Sequence, residues 1–200
     1  KRRILIEWAE SNELAAGRYF SDDGGLNYKE LNLNSPAEAE AFNLEFKEQL
    51  TEKIYLDGYY SDQEAGFNSS SRFLEEDKTD YGLETVYSGK KYENSLSYDK
   101  SSRGNTDTEI TTLKTKIDYS SKTDLNLELK NKYEQEKNIE SENALTGALG
   151  LDYKLNDQRS IYAKQQLTLS GDSDDYNITT LGGRADFDKW SFNTEAEAGD

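Results

Sequence analysis

Cysteine and histidine are both absent, proline occurs once, and no apolar run approaches the ~20 residues of a membrane helix. Without cysteine there is no disulfide scaffold and no thiolate metal site. Without histidine the chain lacks the commonest general base, the commonest zinc ligand and every Ser-His or Cys-His pair. Positive charge is scarce beside negative: 24 Lys and Arg stand against 40 Asp and Glu, a formal charge of −16. Nucleic acid is a poor partner for such a surface; cations and water suit it. Residue 1 is Lys rather than Met, and no secretory apolar stretch follows, which predicts a piece of a longer or processed chain.

Apolar residues are also few, at 34%, and mean hydropathy is −0.98. Those values lean toward disorder. Against them stand 14 Tyr, 7 Phe and 2 Trp, placed periodically in a way a solvated tail does not need. A core packed from both sides is poorly supplied, whereas a sheet with one apolar and one wet face uses apolar residues sparingly.

The alternation is clearest over Thr146–Leu169. Gly147, Leu149, Leu151, Tyr153 and Leu155 fall on one side, and Ala148, Gly150, Asp152 and Lys154 on the other. After the turn Asn156-Asp157-Gln158-Arg159, Ile161, Ala163, Leu167 and Leu169 share one face while Tyr162, Lys164, Gln166 and Thr168 take the other. Period two on both sides of a short polar turn predicts an antiparallel hairpin.

The same unit recurs through residues 42–200. Phe42, Leu44, Phe46 and Leu50 share a face interrupted by Glu48. Ile54, Leu56, Gly58 and Tyr60 follow, then Tyr81–Tyr87, Tyr92–Tyr98, Leu113–Tyr119, Leu125–Tyr133, Leu181–Phe187 and Phe192–Ala198. Connections are predicted to alternate: short at 51–53, 88–91, 120–124, 156–160 and 188–191, long at 61–80, 99–109, 134–144 and 170–175. Together these predict an up-and-down antiparallel meander of ten to twelve strands. Residues 1–41 are less regular. Ile4, Ile6 and Trp8 predict a short strand; Leu14–Phe20 reads as strand or helical turn, Asp22-Asp23-Gly24-Gly25 as a turn, and Asn27–Leu33 as strand-like. Ser35 and Pro36 predict the cap and first position of a short helix over Ala37–Ala41.

Few residues suggest chemistry. Gly171-Asp172-Ser173-Asp174-Asp175 and Ser21-Asp22-Asp23-Gly24 offer hard oxygens for calcium, but neither fits the twelve-residue calcium loop, and Asp and Gly in these places make turns. Carboxylates are too numerous for any pair to single itself out as a glycosidase site. Serine nucleophiles have no histidine partner, and Gly182-Gly183 lies inside a strand pattern, where bending or close packing is its role. No cofactor is expected, and the chain is read as non-enzymatic.

The pattern over 42–198 resembles bacterial outer-membrane β-barrels, in which apolar and polar positions alternate, turns are short at one end, loops are long at the other, and aromatics sit near strand ends. Here Tyr87, Tyr92, Tyr98, Tyr119, Tyr133, Tyr153 and Phe187 match those girdles. The stretch Gly58–Phe67 is similar to barrel segments of very large bacterial cell-surface repeat proteins. The resemblance implies a transmembrane β-barrel at the outer membrane or cell surface, acting as a pore or as an anchor with exposed loops. Its partners would be the lipid bilayer and other envelope proteins. The chain lacks a C-terminal aromatic, so the barrel is expected to continue beyond Asp200. Asp57, Lys114, Lys116, Asp118, Glu128, Lys130, Asp152, Lys154, Lys164, Arg184, Glu195 and Glu197 would line the lumen; Leu127, Leu149, Leu151, Tyr153, Ile161 and Leu167 would face lipid. The alternative is a soluble β-rich adhesin or binding module with its apolar face inward, because period two does not say which face is inside. Four alternating positions also cover only roughly 20 Å, short for a full crossing.

Overall fold

A computed structural model describes residues 1–11, 19–20, 29–30, 39–69, 72–73, 76–137, 139–171, 177–187 and 190–199. Fifteen strands occur among them: β1 (Arg2–Ser11), β2 (Tyr19–Phe20), β3 (Lys29–Glu30), β4 (Ala39–Gln49), β5 (Ile54–Gln63), β6 (Asn68–Ser69), β7 (Arg72–Phe73), β8 (Lys78–Ser88), β9 (Tyr92–Arg103), β10 (Thr106–Asp118), β11 (Thr123–Glu136), β12 (Glu142–Asn156), β13 (Arg159–Gly171), β14 (Asn177–Phe187) and β15 (Trp190–Gly199). Eleven of them form one sheet in the order β1-β4-β5-β8-β9-β10-β11-β12-β13-β14-β15, while β2–β3 and β6–β7 are two-residue ladders in the connections. Every neighbour pair in the large sheet is antiparallel. The expected all-β up-and-down meander is therefore present.

With eleven strands, β1 and β15 run in the same direction. No ladder joins them among the described residues, so the sheet is open.

The strands are longer than the apolar stripes suggested. Each strand of the large sheet has at least ten residues and β12 has 15, against the ~9–11 residues of a tilted membrane strand. Several segments expected as loops are strand. Residues 99–109 form a hairpin closed by Gly104 and Asn105, not a loop. β5 runs to Gln63 and β8 starts at Lys78, β11 reaches Glu136, and β13 reaches Gly171. The reason is visible in the pairing. Beyond the aromatic positions both faces turn polar, so alternation disappears, yet side chains still bond across the ladder. Lys100 meets Glu109 at 2.8 Å, Thr79 donates to Asp62 at 2.6 Å, and Ser101 donates to Asp80 at 2.6 Å.

The predicted helix over Ala37–Ala41 is also absent from the part described. Ala39, Glu40 and Ala41 open β4, paired with Ser11, Glu10 and Ala9. Antiparallel pairing to β1 satisfies their backbone where helix propensity would have used it locally. The proposed cap at Ser35 and Pro36, the Asp22–Gly25 turn, and the acidic residues of both calcium candidates lie outside the described residues.

Almost nothing is buried. Ala39 is the one fully covered apolar residue among those described, and no large side chain is enclosed. The accessible surface is 14419 Å² for 22.8 kDa, where a compact globule of that mass exposes about 9,600 Å². The fold is a single curved layer held by its ladder.

Gly104 closes the β9–β10 hairpin with φ +53°, the left-handed region that other residues enter at a cost of about 1–2 kcal/mol. Replacing Gly104 by Ala is expected to lower the unfolding free energy, read from urea titration of the detergent-refolded protein, by about that amount, whereas Gly150→Ala, whose nearest neighbour is 3.4 Å from the new methyl, is expected to change it little.

Candidate functional site

The two faces of the sheet carry different chemistry, and their burial is inverted relative to a soluble protein. On β12, Leu149 and Leu151 are 54% and 42% exposed, while Ala148, Gly150 and Asp152 between them are half-buried. On β11, Leu127 and Leu129 are exposed while Asn126, Glu128 and Lys130 are half-buried. Exposing Leu or Ile to water forgoes about 1.5–3 kcal/mol each relative to covering it, so this face is built for a medium other than water.

Direct pairing puts the apolar residues in continuous rows. Leu96, Leu113, Leu129 and Gly147 are successive partners, as are Thr115, Leu127 and Leu149, and Ile117, Leu125, Leu151, Ala163, Leu181 and Ala196. Tyr153 pairs with Ile161, and Leu167 with Gly147. All six residues expected to face lipid thus share one face.

Aromatics border these rows. Toward the short turns lie Tyr87 stacked on Tyr92 at 5.7 Å, Tyr153, and Phe187 edge-on to Phe192 at 6.4 Å. Toward the other end lie Phe42 beside Tyr60 at 6.1 Å, Tyr81 beside Tyr98 at 6.3 Å, and Tyr133. Tyr81 and Tyr87, like Tyr92 and Tyr98, are separated by a run of roughly 20 Å along the strand, comparable with the ~25 Å apolar band of outer-membrane barrels.

The opposite face carries two troughs, which make it the concave side. One, of about 350 Å³, crosses β9 to β13 and is lined by Lys114, Lys116, Asn126, Glu128, Asp152 and Lys164 among others. The second, of about 390 Å³, crosses β4 to β9 and is lined by Glu45, Lys47, Asp57, Tyr59, Glu84 and Asp99 among others.

All twelve residues expected to line a lumen lie on this face by register. Lys114 pairs across with Glu128 at 4.0 Å, Lys116 with Asp124 at 3.5 Å and Lys154 with the same Asp124 at 4.0 Å. Asp57 holds Lys47 at 2.8 Å. Asp152 accepts from Asn126 Nδ2, and Glu195 accepts from the Tyr162 hydroxyl. Asp118 stands opposite Asp124 at the short-turn end. Arg184 lies between Ser160 and Asn193, Glu197 opposite Thr180, and Lys130 between Thr112 and Thr146. The structure does not gather them into one cluster; they spread over β5 and β10–β15. Among the described residues no group of three or more His, Cys, Asp or Glu is arranged to hold a metal ion.

Two polar-face units were not foreseen. Tyr59 on β5 leans across Gly82 on β8 and donates to Asp99 Oδ1 on β9 at 2.9 Å. Tyr162 on β13 leans across Gly182 on β14 and donates to Glu195 on β15. In both, the glycine sits directly opposite the tyrosine and leaves the space its ring fills; a Cβ at Gly82 would stand 2.6 Å from the Tyr59 ring. The sequence signal was a glycine inside a strand pattern, read at Gly182-Gly183 as bending or close packing; the phenol opposite was not matched to it because the pairing register is not a local pattern.

Gly82→Ala is expected to destabilise by about 1–3 kcal/mol, the usual cost of overpacking. Tyr59→Ala is expected to relieve part of it, so the double variant is less destabilised than the sum of the two. Urea titrations of the four proteins in detergent check the coupling.

These features define the class: the fold is that of bacterial outer-membrane β-barrels. Among solved structures, the chain is similar to a loop-L8 deletion mutant of OmpT, an outer membrane protein of Vibrio cholerae, with TM-score 0.53, 14% identity, and coverage of 82% of this chain and 54% of that one. It is also similar to the in-vitro folded trimer form of OmpT from Vibrio cholerae, with TM-score 0.51, 9% identity, and coverage of 100% and 89%. A KdgM porin in complex with disordered oligogalacturonate aligns at TM-score 0.49 and 12% identity over 80% of this chain and 85% of that one. A family model described as "Protein of unknown function, DUF481" matches residues 95–171. No curated protein matches the chain.

Proposed function

We propose that this chain forms the wall of a non-enzymatic pore in a bacterial outer membrane. The observation that carries the reading is the inverted distribution of polarity: a charged, troughed concave face against an exposed apolar face bounded by aromatics. Lipid is the medium that an exposed Leu, Ile and Tyr belt requires, and water the one that the concave face requires. Hydrocarbon offers no partner for backbone N–H and C=O groups, so only a closed ladder is stable there. Because β1 and β15 are parallel to each other, antiparallel closure takes an odd number of further strands between them. A soluble module with its apolar face inward would need the opposite curvature.

Planar-bilayer recording after refolding into detergent tests the pore. Stepwise ion conductance is expected; a folded, heat-modifiable protein that never conducts would leave the membrane barrel standing and overturn the pore. The lipid-facing assignment has its own test. Leu149→Arg and Leu127→Arg are each expected to cost about 2–4 kcal/mol of stability in lipid vesicles, the range for a cation at mid-bilayer. Gln166→Arg, on the concave face, is expected to cost much less while altering ion preference.

A further inference from the structure

The two ends of the large sheet differ in the sign of their charge. At the short-turn end the segments between strands, together with Lys1, carry six lysines and three acids; the segments that join strands at the other end carry four basic residues and 13 acids. The three acids, Glu52, Asp157 and Asp188, each have Lys53, Arg159 or Lys189 within two positions, which leaves Lys90, Lys91 and Lys122 with no acid in their turns. Lys53, Lys90, Lys91, Lys122 and Arg159 are all exposed, and none is in an ion pair among the described residues.

The faces sort the neighbouring strand residues as well. Near the short turns Glu93, Asp118, Asp124 and Asp186 lie on the concave side, where Glu93 stands opposite Lys116, Asp118 opposite Asp124 and Asp186 opposite Ser191. On the apolar side, the charged strand residues at that margin are Arg2, its partner Glu48 at 2.7 Å, and Arg159, whose guanidinium stands 5.8 Å over the Phe187 ring. At the far margin the same side carries Glu10, Glu40, Asp62, Asp107 and Glu109, with Lys100 as the counter-charge.

We propose that the short-turn rim is a docking surface for anionic lipid headgroups, and that the protein gathers acidic phospholipid around that end although its own formal charge is −16. The inference rests on the lipid-facing reading of the apolar side and not on conduction. Tyr87, Tyr92, Tyr153, Phe187 and Phe192 set the level of one bilayer interface, and the turns lie immediately beyond them. Lysine and arginine stems run along apolar surface while their heads reach outward, which brings these cations to the depth of lipid phosphates. Attraction between a basic segment and an anionic leaflet falls off within a Debye length, about 10 Å at 0.1 M salt. Strands of ten or more residues separate the acidic end from this rim by about 33 Å of chain. The acids there are screened from the rim's lipids, so the local charge decides the lipid shell and the total does not.

Spin-labelled lipids report the shell directly. The protein is refolded into phosphatidylcholine vesicles, and the motionally restricted fraction of labelled phosphatidylglycerol is compared with that of labelled phosphatidylcholine. Phosphatidylglycerol is expected to be enriched at least about twofold beside the unaltered protein, falling toward parity at about 1 M salt, where the screening length is about 3 Å. Replacing Lys53, Lys90, Lys91 and Lys122 by Gln is expected to abolish the enrichment. Replacing Lys78, Lys100, Arg103 and Lys137 by Gln changes the net charge equally at the other end and is expected to leave it in place. Parity in the unaltered, heat-modifiable protein overturns the docking surface and leaves the membrane barrel standing. Enrichment that survives the short-turn replacements, or that high salt does not reduce, overturns it equally. A chain that restricts neither lipid in the vesicles overturns the lipid-facing reading and this inference with it.

Discussion

Backbone hydrogen bonding is the constraint on which this architecture depends. A single-layer sheet with hardly any enclosed side chains lacks the packed interior that supplies most of the stability of a soluble domain. What remains is the ladder itself, ten antiparallel pairings in sequence order, each joining strands adjacent in the chain or separated by one small ladder. Such a ladder is indifferent to what covers its faces provided every N–H and C=O is matched. That indifference lets apolar side chains take the convex side and charges the concave side.

The meander was readable in the sequence because period two persists wherever the two faces meet different media. Leu149, Leu151 and Tyr153 alternate with Gly150 and Asp152 over the same stretch in which they pair with Leu127, Leu125 and Thr123. The readable part ended where that difference of media ended. Lys100, Ser102, Asp107 and Glu109 are strand residues with water on both sides, so composition took them for loop. Ala39–Ala41 misled for another reason: alanine and glutamate favour helix locally, while the partner that holds them extended, Ala9–Ser11, lies almost thirty residues earlier.

The concave face was legible position by position but not as an arrangement. Alternation placed Lys114, Lys116, Glu128, Asp152 and Lys164 on one side, yet said nothing of which strands lie opposite one another. The ladder order supplies that, and with it the ion pairs across strands and the two tyrosines that span a glycine to reach a carboxylate. Both are properties of rows, which run across the strands. A row is assembled from residues far apart in the chain, Tyr59 and Asp99 or Tyr162 and Glu195, and no local pattern encodes it.

The extended β9–β10 hairpin has a consequence for how the protein meets its surroundings. Past Tyr98 the two strands stay paired to each other and to β8 and β11, and they turn through only Gly104 and Asn105. A protease must draw a stretch of backbone, free of other partners, into its own cleft. A paired spur with a two-residue tip presents none. This hairpin is thereby shielded by the same bonds that shape it, and whatever touches the protein there meets a stiff edge.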